Sequence, residues 1–195
     1  MFIRSFLILA LSLTLVSSSA FAAEYDVDKA HSSIGFAVKH MVISSVRGNF
    51  TDFKGEFEID ENALTHVKAT VYLKSINTNE QKRDKHLLSP DFFDAEMYPE
   101  MLFISTKVTH SGNKYSVTGE LTIKAITKSV TLKGELLGVI KDPWGNERAG
   151  FHAEGKINRK EFGISFHKLL EAGGLVVGDE VTIILDIEGI KRKKK

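Results

Sequence analysis

The densest run of side chains able to do chemistry is Asn77-Thr78-Asn79-Glu80-Gln81-Lys82-Arg83-Asp84-Lys85-His86-Leu87. On a helix, Arg83 and His86 stand three apart and share a face. The planar guanidinium fork suits phosphate or carbonyl oxygens, so this face could meet a ligand head group. Alternatively, Arg83 and Asp84 could pin a helix to the body of the protein through salt bridges and hydrogen bonds. The other histidines, His31, His40, His66, His110, His152 and His167, are scattered. No His-x-His or His-Glu-x-x-His spacing points to a metal. No Gly-x-Ser-x-Gly elbow presents a nucleophile, and no Gly-rich loop opens a helix to cradle phosphate. The chain has no cysteine, hence neither disulfides nor thiol chemistry. Its 26 basic and 25 acidic residues give a net charge of +1, a poor composition for a nucleic-acid binder.

The elements that must position these groups are strands. Apolar residues alternate at period two in Ile34/Phe36/Val38, Phe53/Phe57/Ile59 and Val67/Ala69/Val71/Leu73. The pattern continues in Leu102/Ile104/Thr106/Val108, Tyr115/Val117/Leu121/Ile123, Val130/Leu132/Leu136, Phe151/Ala153/Ile157 and Val181/Ile183/Leu185/Ile187. Turn sequences separate the runs: Asp60-Glu61-Asn62, Ser111-Gly112-Asn113, Gly178-Asp179 and Asp142-Pro143-Trp144-Gly145, the last fitting a type I turn. Thr78 followed by Gln81 matches a capping box and predicts a short helix to about Leu88. Ser89-Pro90 predicts a further helical turn, and Phe166 to Ala172 a third helical piece before Gly173-Gly174. Glycines beside outward Glu recur in Gly55-Glu56, Gly119-Glu120 and Gly134-Glu135. Mid-strand glycine at such intervals suits a sharply curved, closed sheet. About eight antiparallel strands with one polar face each make a closed barrel or a sandwich, and a barrel of that size holds its own side chains or one small ligand.

Residues 1–22 read as a secretory leader, with Arg4, an apolar run from Phe6 to Val16, and Ala20-Phe21-Ala22 as the cleavage site. The alternative is an uncleaved anchor. Residues 23–195 then form one domain. The leader places the product in a periplasm, where the core alone stabilises it. Phe2, Phe6 and Phe21 leave with the leader, and the other phenylalanines are core or the wall of a ligand chamber. The terminal Lys191-Arg192-Lys193-Lys194-Lys195 is either a solvated tail or a patch for anionic lipid.

The ordered blocks of the chain resemble the YceI family. They begin with His31-Ser32-Ser33-Ile34-Gly35-Phe36, Val38-Lys39-His40 and Gly48-Asn49-Phe50-Thr51-Asp52-Phe53-Lys54-Gly55. The central ones are Asn77-Thr78-Asn79, Arg83-Asp84-Lys85-His86-Leu87, Asp91-Phe92-Phe93-Asp94 and Tyr98-Pro99. The later ones include Thr127-Lys128-Ser129-Val130-Thr131-Leu132, Asp142-Pro143-Trp144-Gly145, Ile157-Asn158-Arg159 and Glu161-Phe162-Gly163. The resemblance implies an all-β fold, an extended lipocalin-like antiparallel barrel with one or two short helices. It implies an apolar tunnel for a long isoprenoid lipid, a polyprenyl phosphate or a quinone, or another long-chain amphiphile, held non-covalently and with no other cofactor and no metal. For the tunnel wall the expected residues are Phe36, Val38, Phe50, Phe53, Phe57, Phe92, Phe93 and Tyr98. For the polar end they are Asn79, Arg83, Asp84 and His86, and His40 is a further lipid-binding residue. Nucleic acid is not an expected partner; transient contact with a membrane surface and a homodimer are both compatible with this reading. Two alternatives stay open: an enzyme acting on the amphiphile with His40 or His86 as acid/base, and an interaction module whose barrel is filled by its own side chains.

Overall fold

The computed structural model describes residues 22–167, 169 and 175–193. The leader and the segment around Gly173-Gly174 lie outside the described residues. Period-two alternation becomes eleven strands. They are β1 (Ala23–Val27), β2 (Ser33–His40), β3 (Ser44–Phe50), β4 (Phe53–Asp60), β5 (Ala63–Tyr72), β6 (Ile76–Asn77), β7 (Glu100–Ser111), β8 (Lys114–Ile123), β9 (Ile126–Lys141), β10 (Glu147–Asn158) and β11 (Val177–Lys191). One helix, α1 (Gln81–Leu88), sits between β6 and β7.

All pairings are antiparallel, and successive strands are neighbours from β4 through β11, with β6 aside. Strand β1 pairs with β4 while β2 pairs with β3, so the two pairs form one long kinked hairpin. Strand β11 then bonds β10 on one side and both β1 and β2 on the other. Counting β1–β2 and β3–β4 as one stave each, the ring is a closed eight-stranded barrel. Closure removes the free sheet edges that an open sheet would present, except along β3, where residues 44–48 pair with β2 alone.

The curvature rests on close backbone approaches at glycine. A Cβ on Gly134 would stand 2.0 Å from the carbonyl oxygen of His152 on β10, and one on Gly119 would stand 2.5 Å from the ring of Phe103. Both belong to the Gly-Glu echoes of the sequence. Strand β7 departs from the simple alternation. A bulge between Ser105 and Lys107 shifts its register against β8, so the core-facing residues are Met101 and Phe103 before it and Val108 after it. The expected run Leu102/Ile104/Thr106/Val108 therefore changes face midway, because one inserted residue reverses the parity.

One helical expectation is corrected, and a second, Phe166 to Ala172, falls mostly outside the described residues. Ser89 does not start a helical turn: its hydroxyl donates back to His86 O at 2.7 Å, and its carbonyl closes a turn with Phe92 and Asp94. Phe166 and His167 are not helical, and Leu169 forms an isolated bridge with Leu175. Helix α1 does form, but its N-cap is Glu80, which accepts from Lys82 N at 3.0 Å. Asn79 takes a left-handed φ of 60°, which delays the helix past Thr78.

One end of the barrel is closed. Tyr25 (1% exposed), Phe57 (3%) and Ala149 (1%) pack with Phe151 and Tyr115. The rings of Tyr25 and Phe57 stack at 5.0 Å, and Phe151 meets Phe57 edge-on at 5.1 Å. The Tyr25 hydroxyl donates to Glu147, which also receives Lys191; burial, with the Glu147 carboxylate behind it, pushes the phenol well above its ordinary range. Arg192 binds Glu24, Asp26 and Glu56. The terminal basic run is thus no free patch at Lys191 and Arg192.

The Asp142-Pro143-Trp144-Gly145 turn between β9 and β10 forms as expected, with Gly145 N donating to Asp142 O at 3.0 Å. The Asp142 carboxylate accepts from Arg148 Nε at 2.8 Å and from the backbone of Trp144 and Asn146. Arg148 foremost, with those donors, holds Asp142 down at about 2. A folded value below the unfolded one of roughly 4 means the contribution is complete above pH ~4 and is lost as pH falls through ~2. Asp142→Asn is therefore expected to be less stable than the wild type at neutral pH. The gap should narrow as pH falls from about 4 to about 2. Urea midpoints of both proteins against pH check this.

Candidate functional site

Inward side chains of the barrel enclose a chamber of about 260 Å³. Its floor is the aromatic cluster of Phe57, Tyr115 and Phe151; its far wall reaches Val38 on β2 and Val177 and Val181 on β11. Carbon atoms make up nearly all of the chamber surface. The segment between β5 and β7 completes one side. Leu87 at the end of α1 and Phe93 beyond it pack against both of the remaining core clusters, one around Phe92, Leu121 and Phe162, the other around Phe50, Leu73 and Ile76.

Phe36, Val38, Phe50, Phe53, Phe57, Phe92 and Phe93 all border the chamber. On β2 and on β3–β4 this follows from parity. Phe92 and Phe93 reach it because the turn after α1 folds back, with Phe93 N bonded to Leu87 O at 3.0 Å. Tyr98 does not border the chamber; it is half-buried, and its backbone N–H bonds Asp94 O.

None of His40, Asn79, Arg83, Asp84 and His86 borders it either. His40 closes β2 in register with Ser44 and Val177. Asn79 is exposed, its N–H held by Asn77 Oδ1 at 2.8 Å. Arg83 and Asp84 converge on buried Thr78. Arg83 donates through Nε to Thr78 Oγ1 and through Nη2 to Thr78 O, both at 2.8 Å. Asp84 accepts from Thr78 N and Oγ1. His86 Nε2 lies 2.8 Å from Asp91 Oδ2, and its ring meets Phe92 and Phe166 edge-on. These groups anchor α1. Arg83→Ala is expected to lower stability by about 1–2 kcal/mol through the lost bonds while leaving affinity for a chamber ligand within about threefold. Thermal melts and ligand titration check both, and a tenfold loss of affinity in a folded variant would return Arg83 to the ligand.

A buried charged group, outside the motifs singled out for chemistry, also borders the chamber. Arg159 is 3% exposed and touches the wall. It donates to Gly178 O, Ile164 O, Val177 O and Asp179 Oδ1 at 2.8–3.3 Å. Burial lowers its affinity for the proton and Asp179 partly offsets that. Its bonds tie the turn after β10 to the start of β11. Wall residues Leu132, Ile183 and Ile187 also stand outside the expected set; the parity of β9 and β11 carries the signal for them. Among the described residues, the grouping with metal-ligand spacing is Asp28, His31 and Glu188. Arg148 Nη1 donates to both Asp28 and Glu188, so a guanidinium stands where a cation would.

The fold and the chamber define an up-and-down antiparallel β-barrel with an apolar interior. Comparison with known proteins makes this specific: the chain belongs to the YceI family, residues 25–189 matching the YceI-like domain. It is 41% identical to protein YceI of Escherichia coli over 93% of this chain and 94% of that one. The crystal structure of BcnA from Burkholderia cenocepacia is similar, with a TM-score of 0.72 and 25% identity, covering 83% of this chain and 98% of that one. A polyisoprenoid binding domain from Saccharophagus degradans is similar in fold, with a TM-score of 0.63 at 13% identity, covering 86% and 98%. Among the described residues no helix is long and apolar enough to cross a membrane.

Proposed function

We propose that this protein is a periplasmic carrier that holds a long isoprenoid lipid, a polyprenyl phosphate or a quinone, or a similar long-chain amphiphile, in its chamber without transforming it. The observation that carries the reading is the carbon-lined chamber inside a closed barrel. Each ~100 Å² of apolar chain taken out of water contributes roughly 2.5 kcal/mol. Family membership and the fold shared with a polyisoprenoid binding domain support the ligand class. The leader-like residues 1–22 support the compartment.

The enzymatic alternative needs His40 or His86 at the bound molecule, and neither borders the chamber. The filled-barrel alternative sits poorly with about 260 Å³ left between the side chains. The test is reconstitution. Purified protein mixed with a polyprenyl phosphate, a quinone or a fatty amide and re-isolated should retain one molecule of at least one of them, chemically unchanged. Retention of none would overturn the proposal, and recovery of a converted product would replace it with the enzymatic reading.

A further inference from the structure

The hairpin joining β2 to β3 ends in Met41-Val42-Ile43, three consecutive apolar residues that are 39%, 67% and 88% exposed. The backbone does not ask for them. Met41 and Val42 have φ of 49° and 66°, left-handed conformations for which Asn-Gly is the favoured pair at a hairpin tip. A β-branched residue there is sterically disfavoured. The tip at Glu61-Asn62, with φ of 45° and 67°, shows the ordinary solution, with Asn in second place. Large apolar side chains held in solvent against local conformational preference mark a surface in use.

The tip stands at the chamber end opposite the aromatic floor. Val38 borders the chamber three residues before it. His40 is in register with the wall residue Val177, and Met41 N donates to Val176 O at 2.9 Å. Residues 44–48 of β3 pair with β2 alone, because β6 bonds only at Asn49 and Phe50, so the hairpin projects. The other end is sealed by the Tyr25–Phe57 floor and the Arg192 ion pairs. The hairpin is also one-signed. From Ser32 to Thr51 it carries Lys39 and Arg47, both exposed, and no carboxylate. Neither forms an ion pair among the described residues. On the adjoining strand, Asp179 is engaged by Arg159 and Lys160, and Glu180 by Lys156. An apolar tip with a cationic collar matches the interface of an anionic bilayer.

We propose that the Met41–Ile43 tip inserts into the interfacial layer of an anionic lipid bilayer and seats the chamber end opposite the aromatic floor against it. A long-chain lipid then passes between membrane and chamber without crossing water. The proposal rests on the carrier reading for its purpose but not for its geometry, and the test separates the two. The variant is Met41→Asn/Val42→Gly/Ile43→Ser, which suits the tip backbone and should melt at or above the wild-type temperature.

Sedimentation with mixed phosphatidylcholine–phosphatidylglycerol vesicles should fall at least about tenfold in the variant. Wild-type sedimentation should weaken severalfold on phosphatidylcholine-only vesicles. Uptake of a quinone delivered from cyclodextrin, with no bilayer present, should be the same in both proteins. The proposal is overturned if the variant sediments like the wild type, or if the wild type takes up quinone and ignores both vesicles. It is also overturned if the tip instead drives self-association of the wild type in vesicle-free solution. Tip-dependent vesicle binding with no uptake of quinone, polyprenyl phosphate or fatty amide by either protein supports the docking surface and removes the carrier reading.

Discussion

Ala69→Trp is expected to abolish uptake of a long-chain lipid while the barrel still folds. Ala69 lies on β5 opposite Gly55 on β4 and opposite Phe103 on β7. It borders the chamber. The alternation that sends Val67 and Val71 inward sends Ala69 inward with them. An indole at this position projects into the space between Gly55 and the far wall and occupies the volume a ligand chain needs. Overpacking a filled core costs about 1–3 kcal/mol; here the added side chain enters free space, so the loss of stability should sit at or below that range. Affinity should fall by well over ~tenfold, the equivalent of more than about 1.4 kcal/mol. Native mass spectrometry after incubation with lipid reads occupancy, and a circular-dichroism melt reads the fold. Undiminished binding in a folded Ala69→Trp would place the ligand somewhere other than the chamber.

Arg159→Met should be the most destabilising single exchange at the site. The guanidinium satisfies three backbone carbonyls and the Asp179 carboxylate from a position that is 3% exposed. Methionine fills similar volume and supplies no donor. The carbonyls of Ile164, Val177 and Gly178 are then left without that partner, as is Asp179. Removing one side of a buried charged network costs about 3 kcal/mol or more, which for a domain of this size is a drop in melting temperature of roughly 6–12 °C. Arg159→Lys should recover little, since one ammonium cannot reach carbonyls spread around a planar fork. A melt within a degree or two of the wild type for Arg159→Met would show that the start of β11 is held by other means.

The barrel was readable from the chain because a closed antiparallel sheet writes itself as period-two alternation. Phe36 and Val38, and Phe53 and Phe57, share a parity within their strands, and that face is the one turned to the chamber. Phe92 and Phe93 required the resemblance, since nothing in the alternation places residues of a turn against a chamber. Alternation failed where its period is broken: the bulge at Ser105–Lys107 moves Met101 and Phe103 inward, and a bulge has no reliable sequence mark when it lacks glycine. Arg159 was invisible as a buried group because its partners lie up to 20 residues away, across a long connection. The polar run at Asn77–Leu87 leaves two alternatives open in the sequence, a head-group site and a helix anchor. Thr78, Arg83 and Asp84 satisfy one another locally, which is the anchoring arrangement. Short-range polar pairs of that kind are the ordinary way to fix a helix start. The Glu80 cap was likewise hidden, since the capping box at Thr78 is a sequence match that the left-handed Asn79 overrides.

A carrier barrel of this kind should hold a long-chain lipid in the cell. The most direct test is native mass spectrometry of the protein purified gently from periplasm without detergent, followed by solvent extraction of whatever is bound. One discrete added mass per chain is expected, identified after extraction as an isoprenoid or similar long-chain amphiphile and absent from Ala69→Trp. A bare polypeptide mass that stays bare after incubation with polyprenyl phosphates, quinones and fatty amides would contradict it.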